Sequence, residues 1–586
     1  MNTRSKLVAS CLAVLWLFLL ACGGGLQPSN TSTANRAEQA AGKPGGSITH
    51  RLTTPINTLN YYQAADEPSV LLTLFLINDR LVALDHEKQT YVPSLAESYS
   101  VAADGVTVDV QLREGLKFSD GKPLTSNDVK FSLEAAYDKT TNSPIFRDAL
   151  SIGGKEMKVD VVDDRRLKFS LPEKVAAVEN YLENLAVLPK HLLEADLKAG
   201  KLAESWKIDS DARSVVGSGP FMIESVQPGE RVTLRRNPNY WKRDAAGTPL
   251  PYVDTLILEI APDPNNTLAR LQQNAIDIVD RIRTSDFASL KTGGGQVRAV
   301  DAGPGLANDH IWFNLNAASK SGASYENSPK HKWFADKRFR KAVAHAVDRQ
   351  SISTKTLQGL ATPVYGFVPA GNRAWLDPSL PRYDYDLERS RALLTEAGFS
   401  VKDNGGKPEL SDTDGNRVEF TLLVPAENEP RKLIAAVIQE DLAKLGIAMQ
   451  VVPLDFQGIN ERWNSTFDYD AVLSGISLTG LDPSSFAGFL PSGATAHQWR
   501  PKQTQPATEW EKRIDELFAQ QASQTDPAVR KQKFNEIQSI IVEEMPVIPI
   551  VSRHIVSAVN ERVGNHSPSG ILPYSLWNAD RLFVKN

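Results

Sequence analysis

Val418–Leu454 reads VEFTLLVPAENEPRKLIAAVIQEDLAKLGIAMQVVPL, and its periodicities decide the fold class. Val418–Val424 is an apolar run of strand length. Pro430–Leu445 repeats its apolar residues at helical spacing, and Gly446 closes it where a helix commonly ends on a left-handed residue. Ala448–Leu454 returns to strand character. Strand, helix and strand in that order normally build a parallel or mixed sheet. The chain is therefore expected to be α/β.

The flanking sequence agrees. Asp336 starts a helix with Phe339, Val343, Ala346 and Val347 on one face. Leu387–Ala397 is a helix ended by Gly398. Asp526-Pro527 is a cap and first-turn pair for a helix reaching Glu544, stopped by Pro546. Pro546–Val551 and Ile555–Val559 are expected as two strands. Nearer the N-terminus, a strand lies near Ile48–Leu52. Asp104-Gly105 is a turn signal before the alternating strand Val106–Leu112. Ser126-Asn127-Asp128 cap a helix over Val129–Tyr137. Val159–Val162 and Arg166–Leu171 read as a hairpin, and Glu173–Ala199 as a helical stretch. No repeat of solenoid period is present.

The 586 residues are 41% hydrophobic and 23% charged, an ordinary globular balance. A net charge of −5 argues against general nucleic-acid binding. Arg4 and Lys6 precede an apolar run from Leu7 to Ala21, a charged segment and core of secretory-signal length. The run ends Leu19-Leu20-Ala21-Cys22-Gly23. A cysteine placed to become the first retained residue resembles the lipobox of bacterial lipoproteins, where the thiol is diacylated. Residues 1–21 are thus expected as a signal peptide, Cys22 as the lipidation site and 22–44 as a flexible tether of small polar residues. Cleavage removes Cys11 and two positive charges. The only other cysteine, Cys22, carries the lipid, so no free thiol remains, which suits an oxidising compartment.

Catalytic signatures are missing from the sequence. It has no HExxH, GxSxG, GxGxxG or phosphate loop ending in GK[ST]. The nine histidines are scattered singly, so no metal site and no cofactor is expected. Glycosidase carboxylates leave little local signature, so an extracellular hydrolase stays open as an alternative.

An ordered set of motifs resembles the peptide/nickel-type (family 5) extracellular solute-binding proteins of ABC importers. Tyr91-Val92-Pro93-Ser94-Leu95-Ala96-Glu97-Ser98-Tyr99 is similar to the family's opening motif. Leu112–Val129, LREGLKFSDGKPLTSNDV, is similar to its most specific stretch. Gly217-Ser218-Gly219-Pro220-Phe221, Arg236-Asn237-Pro238-Asn239-Tyr240-Trp241, Ala275-Ile276-Asp277, Phe313-Asn314, Arg338–Arg349, Asp482-Pro483 and Glu543–Pro549 follow in family order. The resemblance covers about 45–582. It implies a two-lobed periplasmic-binding-protein-like (Venus-flytrap) fold with an extra subdomain on the N-terminal lobe. Lobe I would take 45–305 plus 530–586, with 67–210 as the extra subdomain, and lobe II 306–529. It implies a monomeric, lipid-anchored, non-enzymatic binding subunit in the periplasm or on the outer face of the cell membrane. Such a subunit closes on a peptide or peptide-sized organic solute and delivers it to membrane permease subunits. A ligand-sensing receptor is a further alternative.

By the same resemblance, peptide-binding members carry an aspartate before the Asp-Pro motif that pairs with the peptide ammonium, with a tryptophan nearby. Here Gly475–Pro483 reads GISLTGLDP, so Ile476 and Thr479 occupy those positions. A hydroxyl cannot neutralise an ammonium in a desolvated cleft. The segment is still expected to line the cleft through Ser477 and Thr479, with Asp482 either standing in or forming a turn. Tyr61 and Tyr62 after the first strand, and Ala426 and Asn428 at the mouth of the strand–helix–strand unit, are the other candidates. Trp463 and Trp499 are either stacking platforms or core.

Overall fold

A computed structural model describes residues 41–143, 145–293 and 295–585. The expected signal peptide, Cys22 and most of the expected tether lie outside the described residues. The strand–helix–strand unit forms as expected, with strands Glu419–Pro425 and Ala448–Leu454 and helix Glu429–Ala443. The two strands pair in parallel, Glu419 opposite Ala448 through Pro425 opposite Leu454. They belong to a twelve-stranded mixed sheet.

The strands of that sheet are numbered here in chain order: β1 Ser47–Leu52, β2 Phe221–Gln227, β3 Arg231–Arg236, β4 Thr255–Ile260, β5 Ile278–Asp280, β6 Val297–Pro304, β7 Ala307–Phe313, β8 Ala361–Pro363, β9 Glu419–Pro425, β10 Ala448–Leu454, β11 Ala471–Ser477 and β12 Val547–Asn560. Their spatial order is β10-β9-β11-β7-β12-β5-β1-β4-β3-β2, with β6 and β8 also pairing with β12. Sequence reading divides β12 into two strands at Ser552–His554. The structure shows one strand of 14 residues. Its first half pairs with β7 (Trp312 opposite Val547) and its second half with β5 (Ile278 opposite Val559).

Two apolar cores flank that strand. One gathers residues from Ile48 to Leu258 with Ile278, Val559 and the C-terminal Leu576 and Leu582. The other runs from Leu306 through Phe534, Ile541 and Val551. The first core also contains a four-stranded antiparallel sheet, ordered Ala96–Val101, Thr107–Leu112, Arg166–Ser170 and Lys158–Val161. The expected hairpin is its edge. Beside it, helix α1 spans Ser126–Tyr137, capped by Thr125 rather than by the following triad; the Thr125 amide donates to the Asp128 carboxylate at 2.8 Å. The helical stretch expected over Glu173–Ala199 breaks into helices Glu179–Glu183 and Lys190–Lys198. Pro189 stands at the N-cap of the second, where a missing amide hydrogen costs nothing.

In the second core, helix α2 is Lys337–Ala346, capped by Asp336. Helix α3 is Glu429–Ala443, α4 is Glu509–Ala522 and α5 is Pro527–Glu544, capped by Asp526. Among the described residues no helix is long and apolar enough to cross a membrane.

Candidate functional site: the cleft between opposed strand ends

Strand direction locates the site. β1, β4 and β5 are parallel to one another and antiparallel to β12. β9, β10 and β11 are mutually parallel, and β11 is antiparallel to β7, which is itself antiparallel to β12. β11 therefore runs with β12, whereas β5 runs against it. The carboxyl ends of both parallel sets consequently face each other across β12 and the β6–β7 segment. Ligands of open α/β sheets bind outside strand carboxyl ends, where loops and helix starts supply polar groups.

On the first-core side, the ends of β1 and β5 open on a cavity of about 140 Å³ lined by Leu52, Thr53, Thr54, Glu67, Arg281 and Tyr574, among others. Thr53 and Thr54 are exposed. His50 Nε2 lies 3.0 Å from Asp280 Oδ2, and Arg281 pairs with Glu67 at 2.6 Å. Arg51 donates from Nε to the Ala261 carbonyl at 2.6 Å, tying the ends of β1 and β4 together.

On the second-core side, Ala426 and Asn428 connect β9 to α3. Asn428 is the N-cap of α3 and accepts from the Arg431 amide at 3.2 Å. Ser477 ends β11, and both Ser477 and Thr479 are exposed beside the joining strands. Ser477 pairs with Ala307, the first residue of β7. These four expected residues come together at the strand ends.

Arg431, in the first turn of α3, reaches across β11. Its Nε donates to Asp309 Oδ1 at 2.8 Å, and Asp309 on β7 is 2% exposed. Arg553, on β12, places its Nε 2.9 Å from the other oxygen of the same carboxylate. Gly475 permits the crossing. A Cβ there would sit 1.7 Å from the Asn308 carbonyl oxygen and 3.3 Å from Arg431 Nη2. Sequence reasoning missed all three charged residues. Arg431 alone carries a local signal, because a cation in the first turn of a helix opposes the macrodipole and calls for a specific partner.

The remaining expected residues lie elsewhere. Tyr61 and Tyr62 are fully buried in the first core. The Tyr62 hydroxyl donates to the Ser132 carbonyl at 3.1 Å, and the Tyr61 ring stacks on Phe146. A tyrosine this close to strand β1 was expected to line the cleft, but these rings are packed away from it. Asp482 is also buried. It caps the 3₁₀ turn Pro483–Phe486 and pairs bidentately with Arg530, at 2.6 and 2.8 Å. Both its oxygens are therefore committed within the protein. Trp463 and Trp499 are core, their indole nitrogens donating to the Gln498 carbonyl and the Glu511 carboxylate. Among the described residues no group of three His, Cys, Asp or Glu could hold a metal ion.

Residues 90–498 match the family described as bacterial extracellular solute-binding proteins, family 5 Middle. The chain belongs to that family. Similarity to individual members spans nearly the whole length. A probable ABC transporter-binding protein of Deinococcus radiodurans is 27% identical over 555 residues, covering 90% of this chain and 91% of that protein. The substrate-binding protein CtaP of Listeria monocytogenes superposes with a TM-score of 0.74 at 24% identity, covering 93% of this chain and 100% of that one. The oligopeptide-binding protein AppA of Bacillus subtilis, solved with a nonapeptide, superposes with a TM-score of 0.64 at 25% identity, covering 93% and 100%. This family 5 protein has the two-lobed α/β fold expected from its motifs, and its family is one of solute-binding proteins rather than enzymes.

Proposed function

We propose that this family 5 protein is the substrate-binding subunit of an ABC importer. It takes a peptide or peptide-sized organic solute between the opposed strand ends and delivers it to membrane permease subunits. A lipid on Cys22 holds it at the outer face of the membrane, or in the periplasm, where it works as a monomer. The observation that carries this reading is the cleft itself, with exposed Thr53 and Thr54 on one side, Ser477 and Thr479 on the other, and continuous strands between. The superposition on AppA with its nonapeptide supports a peptide-sized ligand.

In this reading the two cores are the lobes. Lobe I takes 45–305 with 67–210 as its appendage, and lobe II begins at 306. The return to lobe I falls inside β12 rather than at residue 530, because Phe534, Ile537, Ile541 and Val547–Val551 pack in the second core. β12 and the β6–β7 segment are the crossings about which the lobes close.

Closure requires ligand contacts on both lobes, since a ligand shifts an equilibrium only by its differential affinity for the two states. The appendage already touches the second core: Gln89 Nε2 donates to the Gly371 carbonyl at 2.7 Å, and Ala176 N to the Ala522 carbonyl at 3.0 Å. Those bonds fit a closed lobe arrangement.

The experiment is thermal melting of the purified protein against peptide, sugar and amino-acid-conjugate libraries. A true ligand at 100 times its Kd adds about 2.7 kcal/mol of stability. The expected result is a raised Tm with peptides, and the ligand recovered chemically unchanged after long incubation. A flat response to all three libraries overturns the importer reading, and ligand turnover would establish a hydrolase instead.

A further inference from the structure

We propose that the face of lobe I where the chain enters the folded body is a basic platform for the anionic headgroups of a lipid bilayer. It rests the protein on the membrane with the cleft turned away. This rests on the reading of Cys22 as a lipid anchor and adds an electrostatic contact to it.

Packing fixes the entry point. A Cβ on Gly42 would stand 2.6 Å from Tyr252 Cδ2 and 2.9 Å from Phe583 Cβ, so the chain threads between these two side chains. The Gly45 amide donates to the Tyr252 carbonyl at 2.8 Å, and Val584 packs against Gly46. β1 starts at once, at Ser47. Its amino end therefore carries the entry point and its carboxyl end the cleft, about 20 Å away over six residues. Gly42 is twenty residues beyond Cys22, a reach of at most about 70 Å. A lipid on Cys22 would keep this face near the bilayer, where weak contacts act at high effective concentration.

Charge identifies what the face can rest on. Lys43, Arg235 and Arg243 are exposed around the entry point, and Arg581 is half-buried beside it. Arg235 lies opposite Thr255, whose amide donates to the Gly46 carbonyl at 3.2 Å. Arg243 precedes Asp244, which accepts from the Tyr252 hydroxyl at 2.8 Å. Arg581 follows Asp580, whose carbonyl accepts from the Tyr252 amide at 3.1 Å. Among the described residues no carboxylate pairs with these four cations, because the nearby ones are engaged elsewhere. Asp254 pairs with Arg236, Asp580 with Lys242 at 3.7 Å, and Glu561 with Arg298 at 3.6 Å and Lys585 at 3.9 Å. The face is left positive on a chain whose net charge is −5. An anionic surface is its complement, and each basic residue close to one adds about fivefold in affinity. Contacts of this kind are screened by salt, so the body can leave the surface again.

The first measurement uses the full mature chain carrying Cys22→Ser, so that no acyl chain contributes. Its sedimentation is followed with phosphatidylcholine vesicles, and with vesicles in which about one-third of the lipid is phosphatidylglycerol, at low and high ionic strength. Binding is expected to the phosphatidylglycerol vesicles at low ionic strength only. Lys43→Glu, Arg235→Glu and Arg243→Glu together should weaken it at least tenfold. The same reversals at exposed Lys139, Lys402 and Lys407, on the appendage and lobe II, should leave it unchanged. Should the triple variant fail to fold, Lys43→Gln, Arg235→Gln and Arg243→Gln taken singly each read a loss of about fivefold. No preference for phosphatidylglycerol, or an equal loss in the control reversals, overturns the platform.

The second measurement is mass spectrometry of the membrane-purified protein, which reads acylation of Cys22. An unmodified Cys22 with vesicle binding intact overturns the anchor and keeps the platform. An acylated Cys22 without vesicle binding by the Cys22→Ser chain does the reverse. On supported bilayers, neutron reflectivity should place the lipidated protein closer to a phosphatidylglycerol surface than to phosphatidylcholine alone; equal heights overturn the resting posture.

Discussion

Thr479, Asp482 and Gly475 lie within eight residues of one another and have three separate fates. Thr479 is exposed, while Asp482 turns inward to Arg530. Removing one partner of a buried pair leaves the other charge uncompensated, at a cost of about 3–5 kcal/mol. Asp482→Ala should lower stability by about that much in urea denaturation while leaving any ligand preference unaltered. Gly475→Ala should be worse tolerated, since its Cβ would collide with the Asn308 carbonyl; the expected outcome is loss of soluble folded protein. His310 gives a pH-dependent signature. Burial pushes its pKa down from 6.5 to about 4, partly opposed by its hydrogen bond with Gln498. The unfolded chain takes up this proton at the ordinary value and the native state resists until about 4. Between those values the unfolded state binds more protons, so stability falls as pH drops from 6.5 to 4, by about 3 kcal/mol. His310→Gln should flatten that part of the stability–pH curve measured by chemical denaturation.

Among the elements, α3 and β12 bear most directly on the candidate site. α3 was legible because its apolar spacing and Gly446 agree on one helix, and the structure adds Asn428 as its cap. Replacing Asn428 by Ala removes a cap worth about 1 kcal/mol. It should lower Tm by a few degrees in thermal melting. β12 was only half legible. Ser552-Arg553-His554 interrupts the apolar run and looks like a break between two strands. In the structure the polar triplet is the place where the strand leaves one core for the other. Ser552 hydrogen-bonds Asn308, Arg553 faces Asp309 and His554 pairs with Asp301. The triplet tolerates polar residues because each finds a polar partner, with Ser552 buried and Arg553 and His554 half-buried. The broken helix at 184–189 was missed for the converse reason, since its apolar residues Leu185–Leu188 suit helix or buried coil equally well.

At the scale of the molecule, the proposed closure would join the appendage to lobe II through a few polar contacts. Gln89 uses both ends of its amide, giving to the Gly371 carbonyl and accepting from the Arg373 amide at 3.0 Å. Two hydrogen bonds at about 0.5–1.5 kcal/mol each favour the closed form. Gln89→Ala should therefore weaken ligand binding by roughly 5- to 150-fold, mainly through faster release, and ligand-dependent compaction in solution scattering should need more ligand. The sequence by itself determined the α/β class, the strand–helix–strand unit, most helix limits and the family. Those depend on local periodicity, caps and ordered motifs, which are written in consecutive residues. It also named Ala426 and Asn428 from the limits of the strand–helix–strand unit, whereas Ser477 and Thr479 came from the resemblance to the family's segment before Asp-Pro. Only the tertiary structure decided that Tyr61 and Tyr62 are core, that Asp482 is spent on Arg530, and that Asp309, Arg431 and Arg553 converge. Those charges come from one helix and two strands, more than a hundred residues apart in sequence. Their meeting is fixed by sheet order and by one glycine that lets an arginine pass, and neither is a property of any local stretch.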